Sequence, residues 1–398
     1  MHILIAPNAF KNSLTAGEAA AAIQRGLTRS RLTASTECFP VADGGDGTGD
    51  LLIQRLRGQR ISAQAHDPLG RPIAAEFGLL PSHTAIIEMA TASGIRLLNR
   101  AELNPLHATS AGTGDLIRAA LDHLDRATDH LIPAGLDHHA RATPNHPARR
   151  IIIGMGGSAT VDGGTGILRA LGASFLNTHG QPLDDLPAQL PDLDSIDLSD
   201  LDPRLAATEL IVLCDVTNPL TGPQGAATVF GPQKGASPAA ILQLESGLQK
   251  FAQIILRQTG IDLASLPRTG TAGGAAAGLH GLLQARLVSG IDYFLKLTNF
   301  ESALDDANYV ITGEGGIDQS TLRGKAPFGV ATHAKARGIP VIALTGRMPR
   351  NPAPLRPYFD EIICINPQPL PLREALALTA ANLERAAQDW ADRLASTH

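Results

Sequence analysis

Cysteine is almost absent from the 398-residue chain: Cys38, Cys214 and Cys364 are far apart and odd in number. That excludes a disulfide framework and a cysteine-based zinc site, and a reducing cytoplasm is the expected setting. No apolar run approaches the roughly 20 residues of a membrane span. The opening run Ile3-Leu4-Ile5-Ala6 is short and has no basic lead, so no secretory signal is expected. Basic excess is lacking too: the net charge is −5, which argues against sequence-independent binding to nucleic acid. Charged residues make up only 18%, too few for a disordered or coiled-coil chain. Two familiar nucleotide motifs are missing. Gly324-Lys325 is followed by Ala326, so there is no Walker lysine loop. The turn after the first strand holds Pro7 and Lys11 in place of a dinucleotide fingerprint, which disfavours a nicotinamide dehydrogenase.

Glycine is in excess, at 40 residues, and 43% of the chain is hydrophobic. The length exceeds what one core usually fills, so two domains are expected. The start reads β-α-β-α: a strand at 2–6, a helix opened by Thr15-Ala16-Gly17-Glu18, a strand at 37–41 and a helix at 46–57. Near residue 60 the texture changes to a meander of short strands at 61–65, 72–77 and 85–89. A helix at 110–124 follows. The stretch 125–149 is polar and contains His130, His138, His139 and His146; an exposed loop is expected there rather than a metal site. Ile151–Ile153 and Leu210–Cys214 read as buried strands, 181–204 as an irregular connection, and Ser237–Gln258 as an amphipathic helix. From about 285 the β-α-β rhythm returns, with strands at 309–312, 341–345 and 361–365 and a closing helix at 372–396. The expected fold is therefore α/β and two-domain. A Rossmann-like open parallel-sheet domain comes from 1–65 plus 285–398, with a second mixed α/β domain, 66–284, inserted.

Five loops at the C-terminal ends of these strands carry carboxylate, lysine or hydroxyl groups. They are Ala6–Ser13, Ala42–Thr48, Gly154–Gly164, Cys214–Gly222 with its continuation Phe230–Gly235, and Thr312–Asp318 with Gly324-Lys325. In open α/β sheets that edge is where ligands bind. Glycines let backbone N–H groups approach an anion, and a following helix N-terminus adds favourable potential. Nearby carboxylates suit Mg²⁺, and lysine supplies a point charge for a migrating phosphate. A single such loop is as well explained as a tight turn; five together are parts for phosphoryl transfer.

At these motifs the chain resembles the type 1 glycerate kinase family over nearly its full length. The blocks are APNAFKNSLTA (6–16), VADGGDGT (41–48), GGSATVDGGTG (156–166), CDVTNPLTGPQGAA (214–227), FGPQKGA (230–236) and ITGEGGIDQSTLRGKAP (311–327). The resemblance implies transfer of the γ-phosphoryl group of ATP to glycerate, with 2-phosphoglycerate the expected product, in a cleft between two α/β domains. Three departures stand out. Asn8 replaces a usual Asp, Gly316 replaces a usual Arg, and 130–149 looks like an added stretch.

With that chemistry in view, roles can be assigned as expectations. Asp215 is the expected base and Asp162 the second choice. Ser158, Asn218 and Asp43 are expected to bind glycerate. Lys11, Lys234 and Lys325, with Gly313, Gly315 and Gly324, are expected on the ATP phosphates. Glu314 and Asp318 are the expected Mg²⁺ ligands, with Asp43 and Asp46 as alternatives. Two other readings stay open: a kinase for another small hydroxy acid, and a non-catalytic two-domain anion-binding protein. No nucleic-acid or membrane partner is expected.

Overall fold

The apolar runs that read as buried strands lie at the centres of two sheets. In the computed structural model of the protein, which describes residues 1–129, 149–319, 321–349, 351–366, 368 and 370–397, the strands in chain order are β1 (His2–Ile5), β2 (Ser35–Cys38), β3 (Gln59–His66), β4 (Pro72–Leu80), β5 (Thr84–Glu88), β6 (Arg149–Gly154), β7 (Ser174–Leu176), β8 (Ser195–Asp197), β9 (Thr208–Cys214), β10 (Arg286–Ser289), β11 (Tyr309–Glu314), β12 (Val341–Thr345) and β13 (Glu361–Cys364). His130, His138, His139 and His146 lie outside the described residues.

The chain divides into two compact units: Met1–Asp43 with Ser289–His398, and Gly44–Val288. The sequence reading set the divisions at 65/66 and 284/285. The strand β3 pairs antiparallel with β4 along its whole length, from Gln59 opposite Leu79 to His66 opposite Pro72. The meander therefore begins inside the second unit, and the helix Thr48–Arg55 belongs with it.

The first unit is a five-stranded sheet in the order β13-β12-β11-β1-β2, with every pairing parallel. Ile3 and Ile5 share one buried cluster with Ile311, Ile342, Ile23, Leu383 and Trp390. Leu4 and Val310, on the opposite face, are equally buried, as a parallel sheet covered on both sides requires. The helix Ala16–Arg29 starts where the sequence places it. The Thr15 hydroxyl accepts from the Glu18 N–H at 3.2 Å, and the Glu18 carboxylate accepts from the Thr15 N–H at 2.8 Å. That reciprocal pair satisfies two donors that helix geometry leaves open.

The second unit has a six-stranded mixed sheet in the order β10-β9-β6-β5-β4-β3. The pairs β3–β4 and β4–β5 are antiparallel, while β5–β6 and β6–β9 are parallel. One core lies under this sheet, around Ile87, Leu116, Ile117, Ile153, Val212 and Leu279. Another, around Phe175, Leu190, Leu248 and Phe251, is built largely by the helix Pro238–Thr259. Residues expected to be irregular contribute to it: β8 pairs antiparallel with β7 and buries Ile196. Among the described residues no helix is long and apolar enough to cross a membrane.

Candidate active site

In the first unit the functional groups gather at the C-terminal end of β11, beside β1. Glu314 ends β11 and is buried. Its Oε1 accepts from the Thr321 hydroxyl at 2.9 Å and lies 4.0 Å from the Lys325 Nζ. Burial pushes its carboxyl up to about 7, the nearby Asp43 adds to the rise, and Lys325, Thr321 and Lys11 oppose it. Asp43 accepts from the Asn8 side-chain amide at 3.2 Å and from the Ala326 N–H at 3.4 Å. Ala326 is the first residue of the helix Ala326–Ala336, and Lys325 is its N-cap. Asn8, Lys11, Asp43, Glu314, Thr321 and Lys325 thus form one polar group at a helix N-terminus, where the helix field favours an anion.

Asp318 is the more exposed of the two expected Mg²⁺ ligands. Its side chain is 45% exposed, 3.9 Å from the Arg347 guanidinium. Its backbone N–H donates to the Thr321 hydroxyl, as a turn residue does. The same guanidinium lies beside Gly316: a Cβ built there would be 3.8 Å from Arg347 Nε. A cation from the end of β12 therefore stands where position 316 lacks one. The expected phosphate-loop glycines have different structural reasons. Gly313 lies inside β11, and a Cβ there would fall 2.2 Å from the Leu344 carbonyl oxygen. Gly324 needs its φ of +103° and faces open space, as Gly315 nearly does.

The second unit carries a separate group on the loops after β6 and β9. Lys234 is buried, and its Nζ donates to the Ser158 hydroxyl at 2.8 Å and to the Thr160 carbonyl at 2.7 Å. Loss of hydration pulls its ammonium down to about 8, against the opposing pull of Asp162 and Asp215. The reading from sequence put Lys234 on the ATP phosphates with Lys11 and Lys325; its hydrogen bonds within the second unit are to Ser158 and Thr160.

Asp162 is also buried, and its oxygens are occupied. Oδ2 accepts from the Ser110 N–H at 2.9 Å, the Ser110 hydroxyl at 2.6 Å and the Gly166 N–H at 3.2 Å, and Oδ1 from the Gly164 N–H at 3.0 Å. It ties the start of the helix Thr165–Ala170 to that of the helix Ala111–Asp129. Asn218 is likewise occupied: its side-chain amide donates to the Gln224 carbonyl at 2.8 Å. Asp215 is half-buried at the mouth of β9. Asp46 is exposed and pairs with Arg96 at 3.3 Å, within the second unit. Among the described residues no cluster of three His, Cys, Asp or Glu side chains is arranged to hold a metal ion.

Two features were missed in the sequence. Glu88, at the end of β5, accepts from the Gly49 N–H at 2.6 Å, and burial raises its carboxyl to about 7. The loop 268–274 joins the Asp215 loop: the Arg268 N–H donates to the Thr217 carbonyl at 3.3 Å and the Gly270 N–H to the Asn218 carbonyl at 3.0 Å. Its Gly-rich stretch Thr269-Gly270-Thr271-Ala272-Gly273-Gly274 before an alanine-rich helix was a readable signal of the same kind as the other five.

Residues 3–395 match the model of the Glycerate kinase family. The chain is 41% identical to a glycerate kinase of Halalkalibacterium halodurans, over 98% of this chain and 97% of that one. It is 41% identical to the glycerate 2-kinase of Escherichia coli (strain K12), over 87% and 86%. A crystal structure from Salmonella typhimurium LT2, described as a glycerate kinase 2, superposes with a TM-score of 0.79 at 38% identity, covering 100% of this chain and 99% of that one.

Proposed function

The chain belongs to the glycerate kinase family and is a kinase, and on that premise we propose that it transfers the γ-phosphoryl group of ATP to glycerate, giving 2-phosphoglycerate. The observation that carries the glycerate side is the buried Lys234 ammonium held against Ser158 within reach of the charge on Asp215. A buried cation and a hydroxyl whose proton is free to donate suit a small hydroxy acid, and a half-buried carboxylate beside them suits its reacting hydroxyl. Asp215 takes the proton as the hydroxyl oxygen attacks the γ-phosphorus. Asp162 holds the loops and offsets the charge of Lys234.

On the nucleotide side, Lys11, Lys325 and the N–H groups at the start of the helix Ala326–Ala336 take the phosphates. The donor set fits Mg²⁺, which binds one or two carboxylates and completes its shell with water and phosphate oxygens. Glu314, whose raised carboxyl marks uncompensated buried negative charge, and Asp43 beside it would hold the ion. Asp318, more exposed and 3.9 Å from the Arg347 guanidinium, is the third candidate ligand. The ion would neutralise charge between the β- and γ-phosphates. In-line transfer requires glycerate and ATP to meet at contact distance, so both groups of residues must serve one reaction.

The test is an ATP-consumption assay with glycerate, followed by phosphorus NMR of the product. A 2-phosphoglycerate signal is expected. A 3-phosphoglycerate signal would overturn the regiochemistry, and no turnover of glycerate beside rapid turnover of another hydroxy acid would overturn the substrate.

A further inference from the structure

Glu314 and Asp318, the two carboxylates of the turn after β11, each face a cation that stops short of a hydrogen bond. Lys325 Nζ lies 4.0 Å from Glu314, and the Arg347 guanidinium lies 3.9 Å from Asp318. At those separations the charges attract, but no N–H···O bond forms. The Arg347 side chain is 79% exposed, and its hydrogen bonds among the described residues are those of its backbone. The five N–H donors of the guanidinium are therefore open to a ligand.

That guanidinium starts from a rigid base. Thr345 is fully buried and pairs in register with Glu314 across β11 and β12. Its hydroxyl accepts from the Ile317 N–H at 3.0 Å and donates to the Arg347 carbonyl at 2.9 Å, so one side chain joins the turn to the loop that carries the arginine. Gly346 is packed so closely that a Cβ there would fall 2.7 Å from the Gly315 carbonyl oxygen. The Gly346 carbonyl accepts from the Asn366 side-chain amide at 2.7 Å, and Asn366 is held in turn by the buried Asn382 at 2.9 Å. The glycines leave the turn itself bare. A Cβ at Gly315 would meet the Lys11 backbone nitrogen at 3.8 Å, and one at Gly316 would meet the Arg347 guanidinium at 3.8 Å.

From this placement we infer that Arg347 is a further phosphate-binding residue of the nucleotide site. It receives the polyphosphate at the Asp318 end of the turn, as Lys325 does at the Glu314 end. The inference rests on the reading above that puts the nucleotide phosphates at this turn. With no side chain at 315 or 316, phosphate oxygens can lie against the backbone between the cations. A planar guanidinium gives one phosphate two parallel N–H···O bonds, where a lysine ammonium acts as a point charge. Asp318 keeps the guanidinium near the turn, and the 3.9 Å gap leaves its donors uncommitted. An exposed ion pair of that length adds little stability, so loss of Arg347 is felt by the ligand and not by the fold.

The experiment measures Kd for ATP and ADP with Mg²⁺ by calorimetry, without glycerate, and KM for ATP and glycerate. It compares wild type, Arg347→Ala, Arg347→Lys and the double variant Arg347→Ala with Gly316→Arg. Gly316 is not held at positive φ, so an arginine there is unstrained and starts beside the emptied place. Arg347→Ala should raise both nucleotide Kd values and the KM for ATP by roughly 10-fold, the low end for a charged hydrogen bond at an exposed site. The KM for glycerate and the urea midpoint should not move. Arg347→Lys and the double variant should each recover part of the loss, and high salt should narrow the gap to wild type. Unchanged nucleotide Kd in Arg347→Ala overturns the inference. So does an equal loss in all three variants, or a lowered urea midpoint with ATP and glycerate weakened together, because Arg347 would then only hold the turn. Lys325→Ala reports on the parent reading separately: unchanged nucleotide Kd there would fail the placement of the phosphates at this turn.

Discussion

Lys234 and Ser158 are 76 residues apart in the chain, yet the lysine Nζ lies 2.8 Å from the serine oxygen in a buried setting. The cost of burying that ammonium shows as its fall to about 8 from the ordinary 10.5. The sign of its pH dependence follows. Between about pH 8 and 10.5 the unfolded chain holds the proton and the native state has released it, so this group makes stability rise with pH across that window, by up to about 3 kcal/mol. Glycerate binding should move the opposite way, because only the charged form attracts a carboxylate. In kcat/KM for glycerate, which reports the free enzyme, an alkaline limb is expected near pH 8; in kcat it should lie higher, since bound substrate stabilises the charge. A pH series of both constants, with denaturant midpoints beside it, checks this. Coincident limbs would remove Lys234 from substrate binding.

Asp215 and Asp162 should separate cleanly. Asp215→Asn is expected to keep the fold and to lower kcat by at least about 10², the low end for loss of a general base. Asp162→Asn removes a charged acceptor from a buried network of four hydrogen bonds. It should cost about 2–4 kcal/mol of stability, read from the urea midpoint, because buried donors are left poorly paired. Near-native turnover in folded Asp215→Asn together with a stable, inactive Asp162→Asn would exchange the two roles.

Asn8 gives a test of the nucleotide side. Its amide donates to Asp43, so Asn8→Asp would set two carboxylates about 3.2 Å apart. Like charges that close cannot both ionise without a cation, so one carboxyl should titrate upward. The variant should therefore lose activity at low pH with limiting Mg²⁺ and recover it with excess Mg²⁺. Glu314→Gln should instead raise the Mg²⁺ needed at every pH. Identical Mg²⁺ titrations for wild type and both variants would detach this group from the metal.

What was legible in the sequence was what local physics dictates. β1, β6, β9, β11 and β12 are short apolar runs buried from both sides, and the Thr15–Glu18 cap is complete within four residues. β7 and β8, three residues each, are too short to show a period. The edge strand Arg286–Ser289 has little apolar content to mark it. The location of Lys234 was not legible, because nothing local to Gly231–Gly235 encodes a partner on the β6 loop. The 268–274 loop was readable as a Gly-rich turn before a helix, but its attachment to the Asp215 loop was not, because the left-handed φ values at Arg268 and Ala272, neither a glycine, leave no trace in composition.

Glu88 illustrates the same limit and supplies the last expectation. It ends the apolar strand Thr84-Ala85-Ile86-Ile87-Glu88, where an acidic residue reads simply as a strand terminus. The fold brings the Gly49 N–H to its Oε1 and places Asp46 and Asp50 nearby, so burial and like charge hold the carboxyl at about 7 against an ordinary 4.5. Here the native state binds the proton more tightly than the unfolded chain. Stability from this group is thus fully present below about pH 4.5 and is lost as pH climbs to 7. The loss amounts to about 3 kcal/mol at most. Glu88→Gln keeps an acceptor for Gly49 and cannot ionise. Its urea midpoint should match wild type near pH 4.5 and exceed it near pH 8, and the widening gap isolates Glu88 because every other titrating group is common to both proteins. A gap that does not change with pH would mean that Glu88 titrates alike in the folded and unfolded chain, with the Gly47–Gly49 N–H groups at the start of the helix Thr48–Arg55 offsetting its burial.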